Sequence, residues 1–284
     1  YWKPSKVFFI DSEIWPNTIN NLFNKKIPII LLNGRITKKT FKKWLFFSNF
    51  ARSLFNKFKL CLSSNLESHK YLKKLGAKNI KFIGNLKYSQ SENVNSKLNN
   101  NLKKFIRSRH SWCASSTHFN EENFCGHVHI RLKKKVKNLL TIIIPRHIGR
   151  VKSIEKELAN LNLKVHLDEP QKKMDPRTDI YLVNSYGKTK SFYKECKNVF
   201  LGGSLITHGG QNPLEAVRYG CKVFHGPHTS NFKEIYEFLK NRNLSKKVVN
   251  YQNLANLLLT NLKKRAQHKK IIKNLHLIGK NILN

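Results

Sequence analysis

Apolar positions along the chain fall into short runs separated by amphipathic stretches. VFFI (7–10), PIILLN (28–33), FKLCLSS (58–64) and IKFIG (80–84) read as short buried strands. A second series follows in WCASS (112–116), LTIIIPR (140–146), LKVHL (163–167), DIYLVN (179–184), NVFLGGS (198–204) and CKVFHG (221–226). The stretches between them have helical spacing, as in Leu66 to Leu75, which stops at Gly76. Runs apolar on both faces, alternating with helices, predict parallel sheets covered by crossover helices. The Ser/Asn-rich segment from Ser89 to Asn101 reads as a linker. The expected domains are therefore residues 1–90, with about four strands, and residues 91–250, with enough for a complete Rossmann-like unit. A Lys/Asn/Leu helical tail is expected over 251–284.

Composition narrows this picture only a little. Eighteen Phe and 40% hydrophobic residues in 284 argue for a packed core rather than disorder. No apolar run is long enough to cross a bilayer and no secretory signal opens the chain, so a cytosolic setting is expected. A start at Tyr1-Trp2 suggests that upstream residues are missing. The net charge of +38 favours an anionic partner, but the lysines are spread evenly, unlike the clustered patches of nucleic-acid binders. The five cysteines form no C-x-x-C pair and read as reduced thiols. Cys125-Gly-His127-Val-His129 could grip zinc from one strand face, yet no fourth ligand follows, and a partly exposed loop or strand accounts for it better.

With only 16 acids in the chain, the positions of carboxylates carry weight. Asp11 and Glu13 follow the first strand, where paired acids can orient hydroxyls or stabilise positive charge; a capped helix with Pro16 in its first turn is the alternative. Gly202-Gly203-Ser204 leaves a strand, and Asn212-Pro213 opens a helix with Asn212 as N-cap and Pro213 at its first position. Glycines admit a ligand to the backbone, free N–H groups at a helix start favour an anion, and Glu215 could accept bonds from vicinal ribose hydroxyls. Pro145 and Arg146 end another strand, where open α/β sheets place ligands. Ser116, Thr117 and His118 leave a third strand as candidates for a polar ligand, while Glu121 and Glu122 suit the dipole of the helix that follows. The aromatic and basic segment 41–58 fits either an anionic membrane surface or a core-facing helix with a basic outer face.

In order along nearly the whole chain, DSEIWPN (11–17), NGRIT (33–37), GNLKYS (84–89), ASSTHFNEEN (114–123), PRH (145–147), FLGGSLITHGGQNPLEA (200–216) and GPHTSNF (226–232) resemble the 3-deoxy-D-manno-octulosonic acid (Kdo) transferases of lipopolysaccharide assembly. The resemblance implies an α/β GT-B glycosyltransferase, two Rossmann-like domains facing a cleft, the N-terminal one incomplete. It implies inverting, metal-independent transfer of Kdo from CMP-Kdo to a lipid A precursor at the cytoplasmic face of the inner membrane, with no cofactor and no nucleic acid. Ser116, Thr117 and His118, Pro145 and Arg146, Tyr186, Gly187 and Lys188, Gly203 and Ser204, and Asn212, Pro213, Leu214 and Glu215 become donor contacts. Asp11 or Glu13 and Lys87 become stabilisers of the transition state. The family's catalytic base, a glutamate, is expected upstream of Tyr1. Two further departures are Asn184-Ser-Tyr-Gly-Lys188 in place of Asp-Thr-x-Gly-Glu, which reverses a charge, and Ile-Gly-Arg in place of Pro-Glu-Arg after PRH. A degenerate non-catalytic homologue and a basic nucleic-acid-binding protein are the alternatives.

Overall fold

In the computed structural model, residues 3–86, 98–169 and 174–262 are described. The chain divides into two compact units, with the change at Ser91/Glu92.

The first unit is a four-stranded parallel sheet in the order β1-β2-β3-β4: β1 (Val7–Ile10), β2 (Ile29–Gly34), β3 (Leu60–Ser63) and β4 (Ile80–Phe82). Its helices are α1 (Pro16–Asn24), α2 (Lys38–Leu45), α3 (Ser48–Phe55) and α4 (Leu66–Lys74). Pro16 begins α1, where its missing N–H costs nothing, and Gly76 ends the α4 turn at φ +103°. Phe9, Ile19, Leu31, Leu54, Phe55 and Leu72 form the core. The segment 41–58 folds as two helices, not one. Phe41, Ala51, Leu54 and Phe55 face the core, while Phe46 and Phe47 at the junction are 84% and 69% exposed.

The second unit is a seven-stranded parallel sheet ordered β11-β10-β9-β5-β6-β8-β7. Its strands are β5 (His110–Thr117), β6 (Leu139–Pro145), β7 (Val165–Leu167), β8 (Ile180–Leu182), β9 (Asn198–Leu201), β10 (Lys222–His225) and β11 (Ser245–Lys247). The helices are α5 (Asn100–Arg107), α6 (Glu121–Lys133), α7 (Val151–Asn160), α8 (Thr189–Glu195), α9 (Leu214–Arg218), α10 (Lys233–Asn241) and α11 (Tyr251–Leu262). Every residue of β6, β8 and β9 is buried, as continuous apolar runs covered on both faces require. Strand order reverses at β5, with β6 on one side and β9 on the other, which makes their carboxyl ends the switch point of the sheet.

Three expectations need correction. The charged edge strand β11 carries no apolar run and went unseen. Leu254, Ala255 and Leu258 of α11 lie in the second unit's core, so residues 251–262 belong to that unit rather than to a separate tail. Cys125, His127 and His129 lie on α6, on neither a loop nor a strand.

Candidate donor site at the switch point

The glycine turn after β9 is pressed against the end of β5. Gly202 N donates to Ser115 O at 2.9 Å, and a Cβ on Gly202 would lie 2.4 Å from Ser116 O. Glu121, buried at the start of α6, holds the turn from inside. Its Oε2 accepts from Gly203 N (2.7 Å) and His118 N (2.9 Å), and its Oε1 from Ser204 N (3.1 Å) and Leu205 N (2.9 Å). Glu121 stands in the first turn of α6, as expected for an acid that suits the helix dipole, and it adds this four-fold clamp. The amides of Gly203 and Ser204 are thus occupied by the carboxylate. The Ser204 hydroxyl is likewise engaged, donating to Leu201 O and accepting from Gly226 N at 2.8 Å.

GPHTSNF stands behind this turn. A Cβ on Gly226 would sit 2.2 Å from Ser204 O, and Asn231 donates from its side chain to His208 O (3.1 Å) and from its backbone to Gly209 O (3.0 Å). Gly209 and Gly210 take φ of +97° and +77°, which an L side chain would resist. Asn212 Oδ1 accepts from Leu214 N at 3.1 Å, but the N-cap of α9 is Pro213, so both residues stand one position earlier than expected: Asn212 precedes the cap, and Pro213 caps the helix rather than opening it. Pro213 and Leu214 are buried. Glu215 is partly exposed, and Lys190 of α8, which the sequence reading missed, lies 3.5 Å from its Oε1.

At the end of β5 the backbone twists: Ser116 has φ +55°, and the pairing with β6 shifts register between Ser115 and Thr117. Ser115 receives the Tyr193 hydroxyl at 2.8 Å. Thr117 and His118 are buried next to the glycine turn, and Thr117 Oγ1 and His118 Nε2 lack a hydrogen-bond partner. The His118 ring packs 4.5 Å from His208 and 5.9 Å from His147, centroid to centroid. Burial lowers the His118 pKa, and the neighbouring His208 lowers it further. Pro145 ends β6 buried, and Arg146 follows it exposed, tied by its own N–H to Thr117 O at 2.9 Å. Among the described residues no group of three or more His, Cys, Asp or Glu could hold a metal ion.

Both departures in this unit are balanced within the fold. Lys188 Nζ lies 2.6 Å from Asp168 Oδ2, and buried Asp168 also accepts from Tyr181 (2.6 Å) and Ser185 (3.2 Å), so the reversed charge has an internal counter-ion. Tyr186 and Gly187 are exposed at the tip of this turn, with Gly187 at φ +84°. Arg150, from the Ile-Gly-Arg variant, makes a two-pronged pair with buried Glu122 at 3.1 and 3.0 Å.

The first unit gathers its motifs around Asn33. Buried Asn33 donates to Asp11 Oδ1 and accepts from Leu86 N at 3.0 Å, which links DSE, NGR and GNL at the carboxyl end of this sheet. Asp11 sits at φ +56°, and its carbonyl accepts from Arg35 N at 3.0 Å. Exposed Glu13 accepts from Trp15 Nε1 at 2.8 Å, a local tie. Lys87 lies outside the described residues.

Elsewhere, His129 bridges Thr141 Oγ1 (2.8 Å) and Asp179 Oδ1 (3.2 Å). The trio has the order of a nucleophile, a base and an orienting acid. It is buried where β6 and β8 begin, away from the ligand end of the sheet, and Cys125 beside it on α6 is core. A cavity of about 690 Å³ lies at the carboxyl ends of β10 and β11, lined by Lys233, Lys240, Lys246 and Lys247 with Glu237. Four lysines to one acid hardly exceeds the chain's own ratio of 54 to 16, so charge does not single it out.

Two successive Rossmann-like units with glycine turns at the carboxyl ends of parallel strands define the GT-B fold. The structure is similar to a putative UDP-N-acetylglucosamine 2-epimerase from Listeria monocytogenes, with TM-score 0.59 and 15% identity over 99% of this chain and 73% of the other. It is also similar to the C-terminal CMP-Kdo binding domain of WaaA from Acinetobacter baumannii, with TM-score 0.56 and 24% identity over 61% of this chain and 91% of that domain. At these identities the likeness concerns the fold. Residues 1–90 match the family described as 3-deoxy-D-manno-octulosonic-acid transferase (kdotransferase). The Kdo transferase of Rickettsia typhi is 30% identical over 259 residues, covering 90% of this chain and 55% of that protein. That of Haemophilus influenzae is 28% identical over 241 residues, covering 84% and 56%. The chain belongs to the 3-deoxy-D-manno-octulosonic acid transferase family, and it spans about half the length of these relatives.

Proposed function

We propose that the second unit binds CMP-Kdo at the β5/β9 switch point, and that the protein transfers Kdo to a lipid A precursor. The observation that carries this reading is the Glu121-clamped glycine turn, which brings His118, Arg146 and the Glu215 helix to one end of the sheet. With the turn's amides occupied, the donor's negative charge falls to side chains, Arg146 first, whose planar fork suits a phosphate. Glu215 takes the ribose hydroxyls, exchanging its contact with Lys190 for them. Asp11, Glu13 and Lys87 act on the acceptor side as stabilisers of the transition state. No metal enters this scheme, so EDTA should leave binding and transfer unchanged.

The partner surface is an anionic membrane at its cytoplasmic face. Support comes from Phe46 and Phe47, exposed between α2 and α3, with exposed Leu45 and Lys38, Lys39, Lys42 and Lys43 on α2 and exposed Phe50 on α3.

The direct test is calorimetry with CMP, followed by incubation with CMP-Kdo and tetraacyl lipid A precursor. Saturable CMP binding is expected, weakened about three- to tenfold in Glu215→Gln without loss of fold, together with CMP release and a mass gain on the acceptor. Binding without transfer would favour the non-catalytic homologue. Absence of CMP binding would sink the donor assignment.

A further inference from the structure

The free nitrogen of His118 has a defined chemical character. Its Nδ1 lies 3.0 Å from Ser116 O, and a carbonyl oxygen only accepts, so Nδ1 carries the proton. In the neutral ring Nε2 is then a lone pair. That atom is buried without a partner, in a side chain 10% exposed. An unmet acceptor of this kind is costly unless a donor arrives. Thr117 Oγ1, one residue away, is buried and unmet in the same way. The ring's position is set by Gly203, where a Cβ would lie 3.1 Å from both His118 Cε1 and His208 Cδ2. The ring packed nearest to His118 is that of His208, which is exposed and precedes the two positive-φ glycines.

We infer that His118 reads a hydroxyl on the sugar half of the donor, accepting its hydrogen bond at Nε2 once the His208 ring turns aside. This rests on the donor assignment above. A phosphate or carboxylate offers only lone pairs and would require the imidazolium; a hydroxyl is satisfied by the neutral ring. With the ribose assigned to Glu215, the remaining hydroxyls belong to the sugar.

The groups facing the ring set its charge. Glu121 Oε2 on α6 is 3.8 Å from Nδ1, and Glu122 on the same helix is neutralised by Arg150. His147 after β6 and His208 after β9 oppose protonation, and burial outweighs the Ser116 carbonyl, which favours it. The titration therefore lies below the ordinary value of 6.5, and the neutral acceptor persists at pH 7. Its contact is present above that range and lost as the pH falls through the lowered pKa.

Imidazole nitrogen NMR on the full chain with CMP and with freshly prepared CMP-Kdo tests this. His118 should read as the neutral Nδ1–H form at pH 7, stay neutral on saturation with CMP-Kdo, and shift at Nε2 with CMP-Kdo but not with CMP. His118→Phe, which keeps the ring shape, should weaken CMP-Kdo about three- to tenfold and leave CMP unchanged. His118→Gln, which retains an acceptor at that reach, should recover part of the loss. Formation of the imidazolium on binding, or equal weakening of CMP and CMP-Kdo, overturns the sugar-hydroxyl assignment. Undiminished CMP-Kdo affinity in His118→Phe overturns it alone, whereas failure of the wild type to bind CMP-Kdo overturns the donor reading beneath it.

Discussion

Glu121 shows how one residue can invert the meaning of a motif. Glycines before a helix usually mean open amides for an anion, yet here one buried carboxylate accepts from four backbone N–H groups, three of them on the turn. Charge-assisted bonds to a buried acid are among the stronger local contacts, because removal leaves several donors unmet at once. Glu121→Gln turns an NH2 toward those donors and is expected to cost about 2–4 kcal/mol of stability. Chemical denaturation would measure it, and CMP affinity should fall with the distorted turn. A variant as stable as the wild type would show that the clamp is dispensable. The same reasoning changes the charge reversal at Lys188: read alone it places a cation in the site, but Asp168, twenty positions earlier, neutralises it.

At the scale of elements, α6 is buried on more than one side because the sheet and α11 both pack on it. That burial turns a suspected metal pattern into structure. His129 is held neutral mainly by burial, against the pull of Asp179. Burial pushes the Asp179 carboxyl up, but bonds from His129, Lys133 and the Lys164 amide outweigh it and hold the carboxyl well below its usual range. In both groups the unfolded chain binds more protons than the fold, so stability is complete at neutral pH and falls as pH drops below about 6.5. Thermal midpoints measured between pH 7 and 5 should decline. His129→Leu should lower stability at pH 7 by about 2–3 kcal/mol, through unmet Thr141 and Asp179, and flatten the decline. A decline as steep in the variant would move its origin elsewhere.

For the whole molecule, the charge of +38 supplies attraction to anions without choosing one. On the proposed membrane reading, the exposed aromatic junction between α2 and α3 would add the selectivity that charge lacks, since polyanions in solution offer nothing to bury phenylalanine rings. Sedimentation with anionic vesicles should show binding that weakens with salt. Phe46→Ser with Phe47→Ser should reduce it about tenfold or more while leaving CMP affinity unchanged, as burying two aromatic side chains is worth several kcal/mol. Equal vesicle binding in the double variant would remove this face from the membrane reading.

By itself the sequence determined the class of fold, most strand positions, the order of the motifs and the family they spell, because apolar period and turn residues are local properties. It also marked the strand ends at which open α/β sheets place ligands. Tertiary structure alone decided which groups there are free. Glu121 and Gly203 are 82 positions apart, as are no residues that a local pattern can compare, and Asp168 meets Lys188 only across a strand end. The edge strand β11 escaped notice since its pairing with β10, not its own Ser-Lys-Lys, makes it a strand. Hydrogen-bond satisfaction is a property of the assembled neighbourhood, so the occupied amides of the glycine turn and the unmet nitrogen of His118 could be recognised only after folding.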